Sequence, residues 1–160
     1  MEKEVLKALN EQVNFEFYSG YIYLRLALIM EDNNYKGYAS WLKRHYHEEL
    51  AHAEDFIEFI LKRDGRPDLD DIKMENFKVS TPLEVAQIIY EHEKKVTERI
   101  YQLHDIAKKS NDYATEIFMH QYISEQIEEE NTAKDIVDSF TLAGDSVAAR
   151  LTVDRELAGK

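Results

Sequence analysis

Glu49-Leu50-Ala51-His52 is the one Glu-x-x-His in this chain of 160 residues. Residues three apart share a face of a helix, so the spacing sets a carboxylate beside an imidazole. Three more glutamates, Glu16, Glu93 and Glu129, each sit at the centre of an otherwise apolar helical stripe. Carboxylates in that number with a single imidazole suit iron or manganese in pairs, whereas zinc ordinarily takes more nitrogen or sulfur. Cysteine is absent, which removes thiolate zinc sites, iron–sulfur clusters, disulfides and Cys nucleophiles together. Any metal must be held by nitrogen and oxygen.

Such side chains need long helices to position them, and the composition allows long helices. Only 5 Gly and 2 Pro occur, against 10 Tyr, 7 Phe and one Trp, Trp41. Polar clusters at Glu31-Asp32-Asn33-Asn34, Asp64-Gly65-Arg66-Pro67, Ser80-Thr81-Pro82, Ser110-Asn111-Asp112 and Gly144-Asp145-Ser146 divide the chain. The spacing predicts helices near 3–31, 35–63, 82–109 and 112–142, with Ser146 capping a short fifth helix to about 157. Thr81, Pro82 and Glu84 make a capping box with Pro at the first helical position, and Gly65 and Gly144 suit helix C-termini. Two tight turns and one long connection between the second and third helices define an all-α four-helix bundle with one crossover. Residues 1–160 are expected to form a single domain.

At 100° per residue, Val5, Leu9, Tyr23 and Ala27 fall within about 20° of Glu16, and Tyr38, Leu42, Phe56 and Ile60 within about 20° of Glu49. Ala86 and Ile100 flank Glu93 in the same way, and Phe118, Tyr122, Ile136 and Phe140 flank Glu129. Height agrees with direction. Glu16 and Glu49 are nearly equidistant from the turn at Asn33, and Glu93 and Glu129 match about Ser110 to within about one helical turn. All four carboxylates can therefore converge in the middle of the bundle. Ionised there, they would repel one another and lose hydration unless protonated or neutralised by cations. Arg25 and Lys43 lie off the stripes, so a divalent or trivalent metal is the economical partner, with His52 supplying a nitrogen and Glu49 placed to bridge two ions.

Several neighbours have two readings. Glu125 and Gln126 lie about 40° and 60° from Glu129 and can reach the metal region, while Glu48 and Glu128 stand at the stripe edges; these residues form either a weaker cation site or a solvated face. Tyr23, two turns beyond Glu16, is either a donor of electrons or hydrogen bonds to the site or a core residue. His45, His47, His92, His104 and His120 lack a ligand pattern and none is assigned as a ligand, although His45 and His104 lie on stripes. The net charge of −12 argues against nucleic acid and for cation attraction. Met1-Glu2-Lys3-Glu4 has no apolar signal core, and the apolar run 21–30 is short and broken by Arg25, so a cytoplasmic protein with no membrane partner is expected.

Leu9-Asn10-Glu11-Gln12-Val13-Asn14-Phe15-Glu16, Glu48-Glu49-Leu50-Ala51-His52, His92-Glu93, Ser124-Glu125-Gln126-Ile127-Glu128-Glu129-Glu130 and Leu142-Ala143-Gly144-Asp145 together resemble the bacterial and archaeal non-haem ferritins. The resemblance spans the whole chain and implies a ferritin-like bundle whose twenty-four copies form a hollow shell storing ferric mineral. It implies that Glu16, Glu49 and His52 hold one iron, that Glu93 and Glu129 hold a second, and that Glu49 bridges the two. It places Gln126 and Tyr23 beside this ferroxidase centre and gives Glu48, Glu125, Glu128 and Glu129 to a third iron site found in some members. Haem is not expected, because the haem-binding relatives use a methionine that the second helix lacks. Those relatives also carry a second Glu-x-x-His, and here the equivalent pair reads Gln126-x-x-Glu129, leaving the second iron without a histidine.

The implied chemistry is oxidation of Fe(II) by dioxygen or hydrogen peroxide. A competing reading keeps the centre and discards storage: a di-iron or iron–manganese oxidase with permanently bound metals. A third is a structural bundle whose buried glutamates are protonated or hydrated.

Overall fold

A computed structural model describes residues 1–160 and contains five helices and no strands: α1 (Lys3–Asp32), α2 (Lys36–Lys62), α3 (Pro82–Lys109), α4 (Tyr113–Ala143) and α5 (Val147–Ala158). Each lies within a residue or two of the range expected from the sequence. The Thr81 hydroxyl accepts from Glu84 N while the Glu84 carboxylate accepts from Thr81 N, so the capping box forms. Asp112 and Ser146 cap α4 and α5.

The helix ends depart from expectation in one respect. α1, α2 and α3 finish in paired turns whose left-handed residue is Asn34, Asp64 or Asn111, each at φ between 53° and 65°. At the end of α2 the left-handed position thus falls on Asp64, and Gly65 follows it, donating from its N–H to Ile60 O. Only Gly144, at φ 55° and ψ −134°, needs the freedom of glycine at a helix end.

α1 pairs with α2, α3 pairs with α4, and α5 folds back onto α2. The crossover runs the length of the bundle, so α3 starts beside the α1–α2 turn. Side chains of α1 pin it: Asn10 donates to Arg66 O and accepts from Asp68 N, and Asn14, one turn on, repeats the pattern with Asp68 O and Asp70 N. Tyr18 OH donates to Glu75 and Arg25 to Asn76, so otherwise irregular backbone is laid along α1 by a ladder of polar contacts.

The apolar core is in two parts. One surrounds Tyr23, Leu26, Met30, Tyr38, Leu42, Ile89 and Phe140; the other surrounds Leu9, Val13, Phe56, Ile60, Ile100 and Met119. Between them lies a buried polar layer containing Gln12, Glu16, Glu49, Glu93, Thr97 and Gln126.

Candidate metal centre

Glu16, Glu49 and His52 come together from α1 and α2. His52 Nδ1 lies 3.5 Å from Glu49 Oε2 and 3.9 Å from Glu16 Oε2, while Nε2 is 3.0 Å from Glu125 Oε1 on α4. Glu125 therefore orients the ring from behind, as carboxylates commonly do for ligating histidines. Gln12, one turn before Glu16, donates to Glu16 Oε1 at 2.6 Å and in turn receives Arg99 Nε at 3.4 Å. The half-buried Arg99, its guanidinium 4.3 Å from the centre of the Phe15 ring, is the cation that the stripe geometry did not single out; it reaches Gln12 and leaves the carboxylates to themselves. Glu16 Oε2 and Glu49 Oε2 are buried with no hydrogen-bond partner. Buried carboxylate oxygens left in this way call for a cation.

Glu93 sits deeper on α3. Tyr23 OH donates to its Oε1 at 2.5 Å and Gln126 Nε2 to its Oε2 at 3.0 Å, with Gln126 also within 3.2 Å of Thr97 Oγ1. Glu129 is only half-buried, and its Oε2 lies 3.5 Å from His45 Nε2, with Glu48 Oε2 3.6 Å from the same nitrogen. Of the residues singled out in the sequence, Glu16, Glu49, His52 and Glu125 form one contact group and Tyr23, Glu93 and Gln126 a second. Glu48 and Glu129 meet at His45, while Glu128 is exposed on α4. Gln12 and Arg99 went unnoticed, although Gln12 lies four residues before Glu16 on the same stripe. His45, on a stripe four residues before Glu49, is the histidine left unassigned that the structure brings to the carboxylates.

Burial dominates the electrostatics. It raises Glu16 well above the ordinary carboxylate value, helped by the neighbouring Glu49, and raises Glu49 with a contribution from Glu93. Burial also lifts Glu93 to about 7, against the hydrogen bonds from Tyr23 and Gln126. For His52 burial opposes the charge, but Glu125, Glu49 and Glu16 outweigh it and hold the imidazole up at about 11. A cation reaching Glu16 and Glu49 would displace that proton. Burial likewise opposes a charge on His45, which Glu129 and Glu48 nevertheless hold above its ordinary value.

Glu93 makes the pH dependence testable. Above about pH 4.5 the unfolded chain releases this proton whereas the folded one keeps it to about pH 7, so the folded state binds more protons and loses stability as pH rises through that window. Glu93→Gln removes the effect. The metal-free variant is expected to match the wild type near the acid end and to be the more stable by roughly 3 kcal/mol above the window, read as a melting-temperature difference that grows with pH.

A four-helix bundle with one long crossover places Glu16, Glu49 and His52 together in a buried polar layer, a candidate site for a metal ion. The ferritin family, described as a ferritin-like domain, matches residues 6–143. A bacterial non-heme ferritin of Bacteroides fragilis is 36% identical over 146 residues, 91% of this chain and 92% of the relative. One of Escherichia coli is 32% identical over 158 residues, covering 99% and 96%. Among solved structures, an open pore ferritin of the archaeon Archaeoglobus fulgidus superposes with a TM-score of 0.98 at 36% identity, covering 100% of this chain and 99% of its own. This chain belongs to the ferritin family.

Proposed function

We propose that this ferritin stores iron by oxidising Fe(II) at the intra-bundle centre and depositing ferric oxyhydroxide inside a shell of twenty-four subunits. Glu16, Glu49 and His52 bind one Fe(II); Glu93 and Glu129 bind the second, and Glu49 bridges. Each iron gives up one electron. Dioxygen takes two electrons and two protons to leave as hydrogen peroxide, or hydrogen peroxide takes two of each to become two waters. Hard carboxylate oxygens favour the ferric product. Tyr23 and Gln126 hold Glu93 in place, and Glu125 holds His52. The observation that carries this reading is the pair of buried, unpartnered oxygens, Glu16 Oε2 and Glu49 Oε2, facing His52 Nδ1 across distances that suit donors to one ion.

The net charge of −12 draws cations to the protein, and no helix is long and apolar enough to cross a membrane; the reading is of a cytoplasmic store. It is tested by adding Fe(II) in large excess aerobically and following iron and protein together through size exclusion. Ferric iron co-eluting with a very large oligomer is expected. Oxidation that stops near two irons per chain on a small oligomer would replace storage with an oxidase holding permanent metals, and oxidation no faster than in buffer would remove both.

A further inference from the structure

His104 and His120 have no task in the chemistry above, yet the hairpin of α3 and α4 brings them together. They stand eight residues on either side of Asp112, the N-cap of α4, so two antiparallel helices set them at one level. We propose that this pair is a second metal site, built on two imidazoles rather than on carboxylates, that takes a divalent ion of the Cu(II), Ni(II) or Zn(II) class. The site goes beyond the ferroxidase reading and does not depend on it.

Ring geometry is the first support. The two ring centroids are 5.6 Å apart with 32° between the planes. A tetrahedral ion holds two imidazole nitrogens at about 2.0–2.1 Å each, which puts the ring centres about 5–5.5 Å apart. The pair therefore closes on an ion with a movement of a few tenths of an ångström. Plain stacking tolerates the same separation, so the ring nitrogens decide.

Those nitrogens are unspent. His45, His52 and His92 each engage a ring nitrogen in a hydrogen bond, whereas His104 and His120 engage none. Asp105 places its Oδ1 3.9 Å from His104 Nδ1, which favours the hydrogen on that nitrogen and leaves Nε2 with a free lone pair. A carboxylate behind the ring is the usual support of a ligating histidine. The His104 side chain is 21% exposed and His120 is exposed, so an ion enters from solvent and water completes its coordination.

The pair is separate from the buried carboxylates. His104 lies eleven residues beyond Glu93 and His120 nine before Glu129, about 16 Å and 13 Å along the two helices. Its chemistry differs as well: imidazole suits copper, nickel and zinc, with affinity rising towards Cu(II), while carboxylate oxygen suits the ferric product of the centre. An ion held here also ties α3 to α4.

Cu(II) is the probe, because each coordinated nitrogen splits its electron paramagnetic resonance lines. One equivalent per chain is added to the intact metal-free protein, the spectrum is recorded frozen, and copper bound per chain is measured by equilibrium dialysis. A two-nitrogen pattern is expected. His120→Gln, at an exposed residue that will not disturb folding, is expected to lose that pattern and to weaken the site at least about tenfold, and His104→Gln to do the same. Glu49→Gln, which damages the buried centre, is expected to keep the pattern, and iron oxidation is expected to be unchanged in His120→Gln. A wild-type spectrum with one nitrogen, or copper binding unchanged in both histidine variants, would overturn the proposal. A wild type that fails to oxidise iron would remove the ferroxidase reading and leave the copper result standing.

Discussion

Glu49→Gln is expected to slow iron oxidation by at least about 100-fold while making the metal-free protein more stable, a combination that an ordinary structural residue does not give. The loss is expected from position: Glu49 lies 3.5 Å from His52 on its own helix and close enough to Glu93 for the two charges to oppose each other, where the proposed bridge would stand. The gain follows from burial. With its Oε2 unpartnered and Glu16 alongside, the ionised side chain opposes folding, and a neutral amide of the same shape relieves about 2 kcal/mol. For a chain of this size that is a rise of roughly 4–8 °C in melting temperature. Stopped-flow iron oxidation and a thermal melt of the metal-free protein read the two effects. A variant that oxidised iron normally, or that melted well below the wild type, would show that Glu49 has been assigned the wrong part.

The largest effect on stability is expected far from the metal, at Gly37. A Cβ there would stand 2.0 Å from the backbone oxygen of Asp154, closer than atoms can approach, because α5 lies directly on the first turn of α2. The approach is close because the Asp154 carboxylate accepts from Gly37 N at 3.1 Å and Tyr38 N at 2.7 Å, capping α2 from a helix at the other end of the chain. Gly37→Ala must push α5 away and break that cap, at about 3 kcal/mol or more. Trp41 packs against Leu157 of α5, so its emission should move to the red as the melting temperature falls. Gly20→Ala is the control. Its Cβ would meet nothing closer than 3.4 Å, and alanine inside α1 should stabilise by about 0.5–1 kcal/mol. Equal losses in both variants would mean that the α5 contact is not what Gly37 protects.

How much of this was legible beforehand depended on the range of the interaction. Helix positions follow from local chemistry, a 3.6-residue period bounded by polar turn residues, and Gly65 closes α2 as expected, one position after the left-handed Asp64. The inward direction of Glu16, Glu49 and Glu93 followed from the same period. That Glu129 would be partly exposed did not, since a stripe gives direction about one helix and not how closely the neighbouring helix covers it. His45 was equally opaque: lying on a stripe says nothing about the ring rotation that its bond to Trp41 O sets. The cap from Asp154 to α2 joins residues more than a hundred positions apart, and no pattern within either helix announces it.

The division of the apolar core bears on how the molecule moves. In most bundles the ends fray and the middle is firmest. Here each end owns its own apolar cluster, and the cross-section between them is a layer of carboxylates that resist one another. Hydrogen exchange of the metal-free chain is therefore expected to be less protected at mid-height than in the two apolar clusters on either side. Ions bound by the proposed ligands would join α1, α2, α3 and α4 across that layer and raise the protection there.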